Sequence, residues 1–353
     1  MKKLFWPLIL LFWAAATPAR ALEIPSEFDS VGPAISEFVT RDGRKAAFID
    51  EGEKDWRTVV FFSGAGTSVQ AFHLTEFNRS LRNNLKLRVV SLGRNGYGQT
   101  PYAAGLGFSD YASDLKELLE SLGIREFVGV AISGGGPYMA YAAELMPEKV
   151  VSLHYAAAVS FPEAGQESRA VTCEKLRTDP AGFKKTMTGY IQNPILWWDL
   201  GKNTSINRIH GFQDAANNEG AHCFFIRGQM GDPAPVIHEY ELYCHPGPKE
   251  NTKVASPVFM YYGDADTTVT PVHADFWKQY YQKSRHTLRL YAGEGHDVQY
   301  RHWEQILIDM SGLEDSVLVC RNGKAELHPS ETASHLVNTN AATLGSCAWA
   351  TRQ

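Results

Sequence analysis

The stretch Val128-Gly129-Val130-Ala131-Ile132-Ser133-Gly134-Gly135-Gly136-Pro137-Tyr138 constrains this chain more than any other. An apolar run from Phe127 to Ile132 stops at a serine followed by three glycines, and Tyr138 to Met146 then reads as a buried, alanine-rich helix. A strand that enters a helix through a one-residue corner holds the corner residue in a strained backbone conformation. The neighbours two positions away on either side must be small, and here they are Ala131 and Gly135. This is the geometry of a nucleophile elbow, G-x-S-x-G, with alanine at the first small position. The same residues can be drawn as a phosphate-cradling loop or a plain tight turn. A dinucleotide loop, however, needs G-x-G-x-x-G after the first strand of the fold and an acid about 20 positions later. This stretch lies mid-chain, which favours the corner.

The flanking sequence supplies the strands such a corner needs. Val39 to Asp50 fits an opening hairpin strand with Arg41-Asp42-Gly43-Arg44 as its turn. Thr58 to Phe62 and Leu87 to Leu92 are continuous apolar runs, as expected for strands buried on both faces of a parallel sheet. A helix is expected around Val69 to Arg82. Another runs from Ser109 to Leu122, with Tyr111, Leu115, Leu118, Leu119 and Leu122 at helical spacing, Ser109 as N-cap and Gly123 at C′. A strand near Val150 to Ala158 continues the alternation. Repeated strand–helix alternation means a doubly wound, mostly parallel α/β sheet.

The alternation stops between residues 160 and 253, which are rich in aromatics and too long for a loop in a compact domain. This segment reads as an inserted, mainly helical lid. Its adjacent Trp197 and Trp198 must face different ways, so at least one is a candidate for the substrate pocket or the main domain. The sheet resumes at Pro257 to Tyr262, a helix follows near Val272 to Tyr281, and a last strand, Thr287 to Tyr291, leads to Gly293-Glu294-Gly295-His296. Trp303 to Met310 reads as a closing helix. The core therefore comprises residues 22–159 and 254–312.

The chain opens with Met1-Lys2-Lys3, an apolar run from Leu4 to Ala16, and Ala19-Arg20-Ala21. That is a secretory signal peptide over residues 1–21. The apolar run is shorter than the about 20 residues of a membrane span, so no stable anchor is expected after cleavage and the protein is expected to be exported, to periplasm or medium. Loss of three cations and no acid takes the net charge from −5 to −8, which argues against nucleic acid or an anionic membrane as partner. Export permits disulfides among Cys173, Cys223, Cys244, Cys320 and Cys347. The near-mirror pair His222-Cys223 and Cys244-His245 can be drawn as a zinc site, but its spacing matches no standard ligand pattern. A Cys223–Cys244 bridge is the favoured reading, with free thiols as the other option. No metal or cofactor is expected.

Residues 313–353 differ from the rest. Asn322-Gly323 between two short apolar strands is a strong hairpin signal. The tail resembles a small secreted module of the form V-C-x-N-G-K, then H-L, then L-G-x-C, in which Cys320 and Cys347 are expected to pair.

A serine hydroxyl needs a base to take its proton, and the base needs a third group to hold its tautomer. His296 follows a strand, sits in a glycine-rich turn and lies late in the chain, where a base belongs in the order Ser…Asp…His. His273, His286 and His302 compete from helix-like or polar stretches. For the acid, Asp264 and Asp266 both follow the strand ending at Tyr262; Asp264 reads as a turn residue, and Asp266 is placed to reach across the sheet top.

With these residues in order, the chain resembles the α/β-hydrolase superfamily across Arg41 to Met310. The motifs that carry the resemblance are Ser63-Gly64-Ala65-Gly66, Gly93-Arg94-Asn95-Gly96-Tyr97-Gly98, the elbow from Ala131 to Pro137, Gly263-Asp264-Ala265-Asp266 and Gly293-Glu294-Gly295-His296. The resemblance implies an oxyanion hole built from the backbone N–H groups of Ala65 and Gly134. It departs from the family where Ser63-Gly64 replaces the usual His-Gly, whose histidine helps hold that loop. A serine nucleophile, rather than the aspartate of dehalogenases and epoxide hydrolases, implies acyl transfer to water from a small-molecule ester or lactone. Other readings are an amide, peptide or C–C hydrolase, a cofactor-free haloperoxidase-like activity, and a non-catalytic binding protein. An aminopeptidase would need lid acids, for which Glu219, Glu239 and Glu241 are available.

Overall fold

The computed structural model describes residues 22–24, 33–192, 234–345 and 347. Residues 1–21, Trp197, Trp198, Glu219 and Cys223 lie outside the described residues. Eight strands form the main sheet: β2 (Ile35–Val39), β3 (Lys45–Glu51), β4 (Arg57–Phe62), β5 (Leu87–Leu92), β6 (Phe127–Ile132), β7 (Val150–Ala156), β8 (Val258–Gly263) and β9 (His286–Tyr291). Their order is β2-β3-β5-β4-β6-β7-β8-β9, antiparallel from β2 through β5 and parallel from there on. The order places β6, which leads into Ser133, in the interior of the sheet.

Both faces of that sheet are covered, which is why its central strands are apolar throughout. Alternate side chains point to opposite faces. Val60 and Phe62 of β4 join one cluster with α2 (Phe108–Ser121), α3 (Gly136–Leu145) and α7 (Val272–Tyr280), through Leu115, Met139 and Trp277. Val59 and Phe61 join the other cluster, with Phe72, with Leu81 of α1 (Arg79–Asn84) and with Trp303 and Ile306 of α9 (Trp303–Met310).

Local chemistry shifts two helix boundaries. The segment expected to be one helix from Val69 is a 3₁₀ stretch, Val69–Asn78, followed by α1. The helix α2 starts one residue early because Asp110, rather than Ser109, closes it: the Gly107 N–H donates to Asp110 Oδ2 at 2.8 Å. Gly123 ends it at φ +68°, the left-handed turn expected of a C′ glycine.

Between β7 and β8 the described chain is helical: α4 (Glu167–Thr178), α5 (Pro180–Gln192) and α6 (Ala234–Cys244). Phe183, Met187 and Val236 from this insertion form a small cluster of their own with Tyr97. Here one expectation is corrected. Cys244 is bonded to Cys173, with Cα atoms 5.6 Å apart, and not to Cys223. The mirrored His-Cys and Cys-His pairs misled because bonding follows spatial neighbours, and α4 packs beside α6.

A second sheet, of order β1-β11-β10-β12, is made by β1 (Leu22–Ile24), β10 (Ser316–Arg321), β11 (Lys324–Pro329) and β12 (Thr343–Leu344). Asn322 and Gly323 turn the β10–β11 hairpin with φ +52° and +74°, the double left-handed geometry of a type I′ turn. α8 (Val298–Arg301) precedes α9, and α10 (Ser330–Asn338) packs on this smaller sheet. Cys320 is bonded to Cys347, and Leu318 and Ala325 share the core cluster of α9, so the tail is docked on the main sheet.

Candidate active site

Ser133 stands at the end of β6 with φ +46°, a left-handed conformation that a non-glycine residue rarely adopts and that costs about 1–3 kcal/mol. The glycines after it make the corner possible. A Cβ on Gly135 would sit 2.3 Å from the Phe62 carbonyl oxygen, and one on Gly136 2.0 Å from that of Val159. The corner is tied down when the Val159 N–H donates to the Ser133 carbonyl at 2.8 Å.

The turns after β8 and β9 bring two more side chains to this corner. His296 Nε2 lies 3.0 Å from Ser133 Oγ, and His296 Nδ1 lies 2.8 Å from Asp266 Oδ2. Because a carboxylate only accepts, Nδ1 carries the hydrogen and Nε2 is left to accept from the serine hydroxyl. The other Asp266 oxygen, Oδ1, accepts from the N–H groups of Thr268 at 2.8 Å and Val269 at 2.9 Å. Burial raises the Asp266 carboxyl, but the His296 charge and these hydrogen bonds outweigh it and hold the group below its ordinary value. For His296, burial acts downward, and the Asp266 charge and hydrogen bond overcome it to leave the imidazole above its ordinary value.

Asp264 takes a different part. Its Oδ1 accepts from the Gly293 N–H at 2.6 Å, clamping the turn that carries His296. Of the competing histidines, His302 stacks on Tyr291 at 3.6 Å and meets Glu294, and His286 Nε2 donates to the Tyr281 carbonyl, whereas His273 lines the cavity of Ser133 with its Nδ1 held by the Ser160 N–H.

No protein-family model and no curated protein matches this sequence. Solved structures do match in three dimensions. A hydrolase from Pseudomonas aeruginosa superposes with TM-score 0.58 at 15% identity, over 79% of this chain and 98% of that one. An esterase from Exiguobacterium antarcticum gives 0.58 at 15%, over 78% and 98%. An epoxide hydrolase of the α/β-hydrolase superfamily, from metagenomes of hot environments, gives 0.60 at 15%, over 80% and 99%. The chain has the α/β-hydrolase fold.

In α/β-hydrolase terms, Ser133 occupies the elbow and the loop after β4 faces it. A Cβ on Gly64 would touch Ser133 Cβ at 3.4 Å, and one on Gly134 would fall 2.5 Å from the Ala65 amide nitrogen. The backbone of Ala65 therefore lies against Gly134, and its N–H has no acceptor among the described residues.

The loop's lack of the family's histidine has a structural answer that the sequence did not disclose. Arg94, from the turn after β5, donates to Ser63 Oγ at 2.9 Å, to the Gly64 carbonyl at 2.7 Å and to the Ser63 carbonyl. Its guanidinium stacks over the Tyr138 ring at 4.5 Å. The charge is balanced by Glu239 of α6, which also accepts from the Gly66 N–H at 2.8 Å, from Tyr97 at 3.0 Å and from Tyr138 at 3.1 Å. Tyr243, one turn along α6, reaches the Gly134 carbonyl at 2.8 Å. The only hint in sequence was an arginine inside a glycine-rich turn at a strand end, and nothing linked it to an acid 145 residues away.

The cavity above Ser133 encloses about 630 Å³ including its open mouth. The core supplies Ala65, Gly134, Val159 and His273, and the insertion supplies Arg169, Tyr240, Tyr243 and the Cys173–Cys244 bridge. Arg169, His273 and Cys173 were not foreseen as cavity residues.

Proposed function

We propose that the protein is a serine hydrolase acting on carboxylic esters or lactones. The observation that carries this reading is the unbroken hydrogen-bonded chain Ser133–His296–Asp266 at the strained corner. Ser133 Oγ attacks the substrate carbonyl as its proton passes to His296 Nε2. The negative charge that develops on the carbonyl oxygen is met by the N–H groups of Ala65 and Gly134, donors of a kind worth about 10²–10³ in rate each. His296 returns the proton to the departing alcohol. Water, deprotonated by the same nitrogen, then cleaves the acyl-enzyme and restores Ser133. Asp266 holds the imidazole in the needed tautomer and stabilises its charged form. The esterase and hydrolase neighbours support hydrolysis. A serine at the elbow supports acyl transfer over the epoxide opening of the third neighbour.

Amide or aminopeptidase activity is the second reading, and the described acids argue against it. Glu239 is engaged by Arg94, and Glu241 is exposed, 3.9 Å from His238. Neither lines the cavity. The sequence signal at residues 1–21 together with two disulfides supports a place outside the cytosol for this chemistry.

Labelling with a fluorophosphonate probe tests the proposal. Wild type is expected to label and Ser133→Ala not to, whereas a folded wild type that stays unlabelled would overturn the serine mechanism. A panel of p-nitrophenyl esters, lactones and aminoacyl anilides then ranks the substrate classes.

A further inference from the structure

The buried arginines among the described residues each meet a carboxylate. Arg82 pairs with Glu76, Arg88 with Asp50 and Arg94 with Glu239. Arg169 breaks the rule. Its terminal nitrogens Nη1 and Nη2 are both shut off from solvent, and neither has a hydrogen-bond partner among the described residues. Long basic side chains ordinarily lay their stems on the protein and put their heads in water. Arg169 does the reverse: the residue as a whole is half-buried, yet its guanidinium tip is sequestered.

Arg169 is one of the residues that line the cavity of Ser133. Arg169 and Cys173, one turn apart on α4, both line it, and the Cys173–Cys244 bridge fixes α4 to α6 there. No aspartate or glutamate is among the described residues that line it. His273 lines the same cavity, and its Nδ1 accepts from the Ser160 N–H at 3.0 Å, which leaves the hydrogen on Nε2. Burial, followed by the charge of Arg169, pushes His273 down to about 3, so the imidazole is neutral. Burial likewise pushes the Arg169 guanidinium down to about 10, against a smaller opposing effect of Tyr243. A desolvated guanidinium with empty donor positions is unfavourable unless an anion joins it.

We propose that Arg169 is a specificity residue that binds a carboxylate carried by the substrate, so that the preferred esters or lactones bear a free acid group near the scissile carbonyl. The proposal rests on Ser133 being the nucleophile in this cavity. The guanidinium fork suits two-point binding of a carboxylate, and the acid on the substrate replaces the protein carboxylate that Arg82, Arg88 and Arg94 each have. Neutral esters of the same size leave the guanidinium unpaired.

The test compares mono-p-nitrophenyl glutarate with p-nitrophenyl butyrate, in wild type and in Arg169→Gln and Arg169→Lys. In wild type kcat/KM is expected to favour the anionic ester by about 10- to 100-fold, the range for a hydrogen bond to a charged group. In Arg169→Gln that ratio is expected to collapse, chiefly through KM, with partial recovery in Arg169→Lys. Titration calorimetry of glutarate against Ser133→Ala gives a readout independent of turnover. Binding that disappears in Ser133→Ala/Arg169→Gln supports the site. Wild-type enzyme that labels with fluorophosphonate but shows neither the ester preference nor glutarate binding would sink the carboxylate site and leave the hydrolase standing. Protein that does not label yet binds glutarate through Arg169 would overturn the hydrolase reading and keep the site.

Discussion

Arg94 and Glu239 meet in a fully buried ion pair that joins the loop facing Ser133 to a helix of the insertion. Arg94 holds the carbonyls of Ser63 and Gly64, Glu239 holds the Gly66 N–H, and the two close on each other. Breaking one side of such a pair strands a charge in the interior, at about 3–5 kcal/mol. Arg94→Met is expected to lose that much stability in urea unfolding and to lower kcat more than it raises KM, because the loop facing Ser133 loses its brace. The double variant Arg94→Met/Glu239→Leu is expected to regain stability without regaining turnover. Full recovery of both would show that the pair does not position the loop.

Asp266→Asn is expected to reduce kcat by about 10⁴ if Asp266 orients His296. Asp264→Asn, which releases only the Gly293 N–H, is expected to lose far less.

The pH profile gives the same assignment a second reading. The base works when neutral, so activity rises with pH through the His296 titration. In wild type that limb lies above the ordinary histidine value of about 6.5, since the Asp266 charge and hydrogen bond outweigh burial. In Asp266→Asn burial is opposed only by the smaller effect of the Asp297 charge, and the limb of the residual activity is expected to move to lower pH.

His154 sits in a closed relay. It accepts from Ser152 at Nε2 and donates from Nδ1 to Tyr261, at 2.9 Å each, and Tyr261 donates to Asp309 at 2.7 Å. Burial pushes His154 down to about 3. It stays neutral in the fold where the unfolded chain would take up a proton, so stability is complete above about pH 6.5 and falls as the pH drops toward 3. The expected slope is about 1.4 kcal/mol per pH unit for this histidine. Urea midpoints measured between pH 7 and pH 4 should fall less steeply in His154→Gln, and an unchanged slope would remove His154 as a cause.

The Cys173–Cys244 bridge closes a loop of sequence separation 71 and is expected to contribute about 4 kcal/mol by restricting the unfolded chain. Cys173→Ser/Cys244→Ser should lower the urea midpoint accordingly. It should also raise KM for esters, because Arg169 and Tyr243 lose the link between their helices.

The elbow, the buried strands of the sheet's parallel part and the turn at Asn322-Gly323 were legible in sequence because each depends on residues adjacent in the chain. Apolar runs must be buried on both faces, a strained corner must have small neighbours, and a two-residue hairpin needs left-handed residues. The candidate residues Ser133, Asp266 and His296 were legible for a related reason: each ends a strand at the same edge of the sheet, so topology brings them together. The partner of Cys244 was not legible, since a cysteine carries no directional information and only the packing of α4 on α6 selects Cys173. Arg94 could be seen but not assigned, because its acid lies in an insertion without a periodic pattern.

The sequence by itself thus determined the sheet, the corner at Ser133 and which side chains could gather there, because local sterics and burial patterns act over a few residues. Only the tertiary structure decided what braces the loop facing Ser133 and what the cavity offers a substrate. Those depend on charges far apart in the chain, and a charge shows whether it is paired or free only once the chain has folded around it.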